Sequence, residues 1–204
     1  MNFVALDFET ANRLRSSICQ IGLAVFKNGE LYETKSLLVK PKPFRFEPIN
    51  MSIHGIFPED VISKPRFDEY WSELKVYFEG QEMLAHNAAF DFSVLRATLN
   101  LYKINFPDLN YYCSLLISRK MLPGEYSYSL PHICNKFGIS FRHHDAVADA
   151  EAAGKLAVSI MRKYGFSSLR QMSETMGFNI GRFRNNSYVP FSTKNSKNID
   201  TLNI

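Results

Sequence analysis

The sequence lacks a cysteine framework and any long apolar run. Its three cysteines, Cys19, Cys113 and Cys134, are odd in number, far apart and without C-x-x-C spacing. That pattern excludes a disulfide scaffold and fits reduced core cysteines in a cytoplasmic protein. The opening Met1-Asn2-Phe3-Val4-Ala5-Leu6-Asp7 has no basic region and meets an acid after four apolar residues, so it does not read as a signal peptide. No stretch nears the roughly 18 to 20 uninterrupted apolar residues of a membrane helix, and a soluble protein with no membrane partner is expected. Net charge is also small, with 24 basic against 20 acidic residues leaving +4. Arg182, Arg184, Lys194 and Lys197 against Asp200 put +3 of that in the last 24 residues. A nearly neutral body argues against broad coating of nucleic acid but leaves room for a local basic groove or a basic tail on phosphate.

What is present is apolar material: 46% hydrophobic and 14% aromatic residues over 204 positions, enough for one substantial core. Phe3 to Phe8 is an apolar run that turns acidic at its end, as a central buried strand would. Two β-rich runs, Ser17–Phe26 and Leu31–Val39, flank Asn28-Gly29, a hairpin signal. A proline-punctuated stretch follows, and helix is expected near Phe67, Trp71, Leu74 and Phe78. Glu82–His86 suits a short strand, with a helix after it along Phe92, Leu95, Leu99 and Tyr102, and another around Leu130, Ile133 and Phe137. The clearest helix spans about Asp145 to Tyr164, and its face of Ala146, Ala150, Ala153, Ala157 and Ile160 is small enough to lie close on a sheet. The pattern predicts one α/β domain over 1–165 with a mixed sheet and helices on its faces. A helical extension at 166–181 and a basic, Asn/Ser-rich flexible tail at 182–204 follow.

Alternation along a strand puts Asp7 and Glu9 on one face. Two carboxylates so close repel, and burial makes the charged forms costlier; they must take up a proton, meet water or hold a cation. A divalent metal with oxygen ligands would resolve the conflict, although strands also turn acidic simply on reaching solvent. Asp91 follows a strand at a helix start, where it complements the helix dipole or joins the other acids. Asp149 lies beside the small-residue stripe of the last long helix, aimed toward the sheet. His143 and His144 stand just before that helix, within reach of Asp149. His86 and His132, inside predicted elements, are expected to pack or hydrogen-bond.

Taken in order, Leu6-Asp7-Phe8-Glu9-Thr10, Ala85-His86-Asn87-Ala88-Ala89-Phe90-Asp91 and His144-x4-Asp149 resemble the three motifs of the DEDD exonucleases, histidine subgroup. Ile18-Cys19-Gln20-Ile21-Gly22 and Ile53-His54-Gly55-Ile56 also look like that family, and the matches span about residues 3 to 164. The resemblance implies a ribonuclease H-like fold with a five-stranded mixed sheet. It implies a site of two divalent ions, Mg²⁺ or Mn²⁺, held by Asp7, Glu9, Asp91 and Asp149, with Asp91 acting through water. His144 is then the general base and His143 its competitor, since His144 has the x4 spacing to Asp149. The tyrosine subgroup is excluded, because the position four before the final acid is Asp145.

Phe8, Thr10, His54 and Asn87 are the candidates for holding the 3′-terminal nucleotide. Phe8 alternates to the strand face opposite Asp7 and is equally a core candidate. After Glu9-Thr10 the chain has Ala11-Asn12 where many relatives show Thr-Gly, so the contacts following the first motif depart from the family pattern. The expected activity is 3′→5′ removal of nucleoside 5′-monophosphates from single-stranded DNA or RNA ends, with a polymerase or another replication or repair protein as a partner. Rival readings are an oligonucleotide-directed exoribonuclease on the same site and a non-catalytic scaffold for a polymerase or helicase. The tail is open to three roles: a tether, a nucleic-acid contact, or none.

Overall fold

The computed structural model describes residues 1–194. In chain order its elements are β1 (Phe3–Thr10), β2 (Ile18–Lys27), β3 (Glu30–Leu38), α1 (Pro48–His54), α2 (Pro58–Val61), α3 (Phe67–Leu74) and a 3₁₀ turn at Lys75–Tyr77. There follow β4 (Glu82–Ala85), α4 (Ala88–Leu101), β5 (Leu109–Cys113), α5 (Ser114–Met121), α6 (Leu130–Lys136), α7 (Ala146–Tyr164) and α8 (Leu169–Thr175). The last elements are β6 (Phe178–Asn179), β7 (Gly181–Arg184), β8 (Ser187–Val189) and β9 (Ser192–Thr193).

The main sheet runs β3-β2-β1-β4-β5-β7-β8. β1 pairs antiparallel with β2 and parallel with β4, and β4 pairs parallel with β5, so the sheet is mixed. β2 and β3 form the expected hairpin, where Asn28 and Gly29 both take positive φ, 54° and 78°. Those angles suit the tight turn whose twist matches the flanking strands.

Helices cover both faces. Phe92 of α4 stacks on Tyr111 of β5 with ring centroids 3.9 Å apart, which seats α4 on the face toward which Val4, Leu6 and Phe8 point. The opposite face, carrying Asp7 and Glu9, takes α7. Its apolar stripe is wholly buried: Ala146, Ala150, Ala153, Ala157 and Ile160 are each at most 1% exposed. Gly154 allows that approach, since a Cβ there would fall 2.1 Å from the Phe26 ring. All three cysteines are free and buried. No helix among the described residues is long and apolar enough to cross a membrane.

Two expectations need correction. The main sheet has seven strands rather than five. The two added strands come from the stretch read as flexible tail: β7 pairs with β5, and β8 pairs with β7. Phe183 anchors them, fully buried against Phe92, Phe106 and Tyr111. Asn185 and Asn186, at φ 51° and 55°, supply the turn between them. Short aromatic anchoring overrode a polar, aperiodic composition. The remainder of the expected tail, 195–204, lies outside the described residues.

Candidate active site

The site assembles where β1 ends. Asp7 is the register partner of Gly22 on β2, and Glu9 of Gln20. Gly22 has no side chain, and a Cβ there would stand 2.1 Å from the Ala146 carbonyl group, so the first turn of α7 rests directly on the β2 backbone. Gln20 Oε1 accepts the Ala146 N–H at 3.3 Å, fixing the same turn. Asp145 caps the helix by accepting the N–H groups of Val147 and Ala148. Asp149, one turn in, is thereby delivered to the strand. One carboxylate oxygen from each of Asp7, Glu9 and Asp149 lies within 4.8 Å of the others.

Asp91 enters from α4 on the other side of the sheet. It is 1% exposed, and its Oδ1 accepts the Phe8 N–H at 3.2 Å. It stands behind Asp7, outside the group of three. Among the described residues no Lys or Arg forms an ion pair with any of these four acids. Burial and mutual repulsion therefore favour their protonated forms. Asp7 is pushed well above the usual carboxylate range by burial first, then by Asp91, Asp149 and Glu9. Burial, then Asp149, raises Glu9 to about 7. Burial raises Asp91 to about 8 against the pull of its hydrogen bond from Phe8, and burial also raises Asp149. Converging hard oxygen donors with no Lys or Arg paired to them among the described residues are the donor set a divalent cation such as Mg²⁺ or Mn²⁺ takes.

The two histidines divide their contacts with Asp149. His143 Nδ1 lies 2.5 Å from Asp149 Oδ1, while His144 gives its backbone N–H to Asp149 Oδ2 at 2.7 Å. The rings stack with centroids 3.8 Å apart, and His144 takes φ 65° to turn beside its neighbour. Burial, then the neighbouring His143, lowers the His144 pKa, which favours the neutral ring.

A cleft of about 460 Å³ opens beside the acids, lined by Asp7, Asp149, His143, His86, Asn87, Leu115, Arg119 and residues 127–130. Of the four candidates for a terminal nucleotide, Asn87 lines it, in a left-handed conformation at φ 67°. Phe8 packs in the core at 2% exposure. Thr10 is buried, and its carbonyl accepts the Asn50 side-chain N–H and lies 3.2 Å from His54 Nε2. The other His54 nitrogen accepts the Ile56 N–H, so its ring is spent on shaping the rim. His86 is likewise structural: its nitrogens meet Ser114 Oγ and the Tyr128 carbonyl. His132 meets Glu125, as a packed, hydrogen-bonded histidine would.

The sequence reading gave no role to Gly22, Gln20, Asp145 or Arg119. A lone glycine inside a strand does signal close backbone approach, and an Asp before an alanine-rich helix signals a cap. Nothing local marks Arg119.

Residues 4–157 match the RNase T family model, described as Exonuclease. DNA polymerase III subunit epsilon of Escherichia coli (strain K12) is 31% identical over 140 residues, 65% of this chain and 54% of that subunit. DNA polymerase III PolC-type of Thermotoga maritima is 29% identical over 178 residues, 84% of this chain and 13% of that protein. The chain thus spans about half of the first relative and a small part of the second. Among solved structures, exonuclease X in complex with 5′ overhanging duplex DNA superposes with a TM-score of 0.70 at 25% identity, over 86% of this chain and 99% of that one. The nuclease domain of 3′hExo, a DEDDh family member bound to rAMP, gives 0.68 at 16% identity, over 81% and 94%, a likeness of fold.

Proposed function

The chain belongs to the RNase T family of DEDD exonucleases, and from that premise we propose that it is a 3′→5′ exonuclease releasing nucleoside 5′-monophosphates from single-stranded DNA ends. The observation that carries this reading is the convergence of Asp7, Glu9 and Asp149 at the mouth of an open cleft with no internal cation. Asp7, Glu9 and Asp149 would hold two divalent ions, with Asp91 contributing through water. Bound there, such ions supply Lewis-acid polarisation of the phosphodiester and of the attacking water. The chain's own work is proton transfer and positioning. Neutral His144 takes a proton from the attacking water, Asn87 meets the terminal nucleotide in the cleft, and the Gly22 contact keeps Asp149 in register with Asp7. Single-stranded ends are favoured because a terminal nucleotide must leave its stack to enter the cleft.

His143 supports a second assignment of the base, because it lines the cleft and bonds Asp149 while the His144 side chain does not. RNA is the alternative substrate, decided by how the cleft treats a 2′-hydroxyl. A purely structural scaffold is disfavoured by four acids gathered without a Lys or Arg partner among the described residues. The kinship with a polymerase III subunit supports a polymerase as partner. The test is side-by-side digestion of DNA and RNA oligonucleotides with Mg²⁺ or Mn²⁺. Mononucleotide release from 3′ ends that disappears in Asp7→Ala is expected; no release, or release undiminished in that variant, overturns the reading.

A further inference from the structure

One wall of the cleft carries a cation that the catalytic reading leaves unused. Arg119 is the cleft's one permanently charged cation, and it makes no ion pair among the described residues. Leu115 and Arg119, four apart on α5, share the face turned to the cleft. That spacing places Arg119 about 6 Å farther along the helix than Leu115, away from the Ser114 end that adjoins His86. The opposite wall is built to stay put. The Tyr128 hydroxyl donates to the Leu122 carbonyl at 2.8 Å, closing its own segment, and His86 docks that segment through the Tyr128 carbonyl at 3.0 Å. The Arg119 guanidinium stands 5.9 Å from the Tyr128 ring centroid, with the Ser127 hydroxyl also in the cleft.

Resting on the exonuclease reading, we propose that Arg119 binds the phosphodiester next on the 5′ side of the scissile one, with Tyr128 and Ser127 as the facing wall. The scissile phosphate lies with the carboxylates and their ions and needs no further cation. The next phosphate, drawn along the cleft away from them, would otherwise pass the acids with nothing to offset its charge. Arg119 supplies that charge where the strand leaves the carboxylates, so the site prefers oligonucleotides over esters that carry a single phosphate.

The test compares Arg119→Ala, Arg119→Lys and Lys120→Ala. Lys120 sits beside Arg119 but lies over the Phe178 ring. Cleavage is read on single-stranded oligonucleotides and on the 5′-p-nitrophenyl ester of thymidine monophosphate. Binding is read separately by fluorescence anisotropy of a labelled oligonucleotide with Ca²⁺ across a salt series. Arg119→Ala should lose at least about tenfold more kcat/KM on oligonucleotides than on the ester, through KM. Its salt slope should fall by about 0.7, one single-strand phosphate contact. Arg119→Lys should restore the slope, and Lys120→Ala should leave it in place. Equal losses on both substrates, or an unchanged slope, overturn the assignment. A wild-type protein that binds the oligonucleotide but cleaves neither substrate defeats the exonuclease reading instead, and the slope still decides Arg119; absence of binding defeats both.

Discussion

Glu82 and Asp7 sit on neighbouring strands and project from the same face of the sheet, yet their surroundings are opposite. Glu82, at the start of β4, accepts hydrogen bonds from the Tyr112 hydroxyl, the Asn110 amide and Arg170. Asp7, at the end of β1, has Glu9 and Asp149 close by, Asp91 behind, and no cation. The first carboxylate brings its own counter-groups, as a charge that serves the fold must. The second leaves them out, so its charge is stabilised only by something that arrives from solution. The difference separates an acid that serves the fold from one left open to an outside cation, without reference to any motif.

The comparison breaks most sharply under substitution. Asp7→Ala should abolish cleavage, while Glu82→Gln should leave turnover in place. His144→Ala should lower turnover by roughly 10² to 10⁴, the span of a lost general base, with Mn²⁺ binding retained by titration calorimetry. A loss of that size in His143→Ala, with His144→Ala near wild type, would transfer the role to the residue on Asp149.

Stability should divide the two ends in the opposite sense. Glu82→Gln should cost about 1 to 3 kcal/mol, because it weakens a charge-assisted network around the buried Tyr112. Asp91→Asn removes one of the repelling charges and should raise the Tm of the metal-free protein at pH 8. A fall in Tm for Asp91→Asn would mean its bond to Phe8 outweighs the repulsion.

The smallest effect is in pH. Glu9 near 7 and Asp91 near 8 are raised above ordinary carboxylate values, so the folded protein holds protons that the unfolded chain releases. Their contribution is whole below about pH 4 and is lost as pH rises through 7 to 8. His86 is lowered to about 4 by burial, so its contribution is present above about 6.5 and lost as pH falls toward 4. Between those limits the two acids outweigh the one histidine, so metal-free protein should lose stability as pH rises from about 5 to 8. Added Mn²⁺ should raise Tm more at pH 8 than at pH 6; equal gains would count against the buried-acid account.

Much of this was legible from residues alone, for physical reasons that differ by region. The β2–β3 hairpin announced itself because Asn28-Gly29 is among the few pairs that take two positive φ angles cheaply. The helix α7 was readable because its alanines recur at helical spacing. Asp7 and Glu9 stood out because carboxylates at the end of a buried strand conflict with burial, while Asp91, Asp149 and the histidine pair were nominated through the resemblance of the ordered motifs to the DEDD family. The β7–β8 ribbon was not legible, since it is held by one buried aromatic side chain, Phe183, rather than by a pattern of its own. Nor was the division of labour between His143 and His144, which depends on a left-handed turn at one residue. Arg119 was hidden because its meaning lies in a wall contributed by a segment several residues further along the chain.

The bare backbone at Gly22 bears on how the molecule comes into being. Asp7 is made well before Asp149, and they meet only when the turn at Ala146 settles onto that glycine. During synthesis the early strands can pair into their hairpin, and Asp91 can follow with α4, but the acidic cluster stays incomplete until α7 leaves the ribosome. Built in this order, the three carboxylates can share a cation only after that helix has formed.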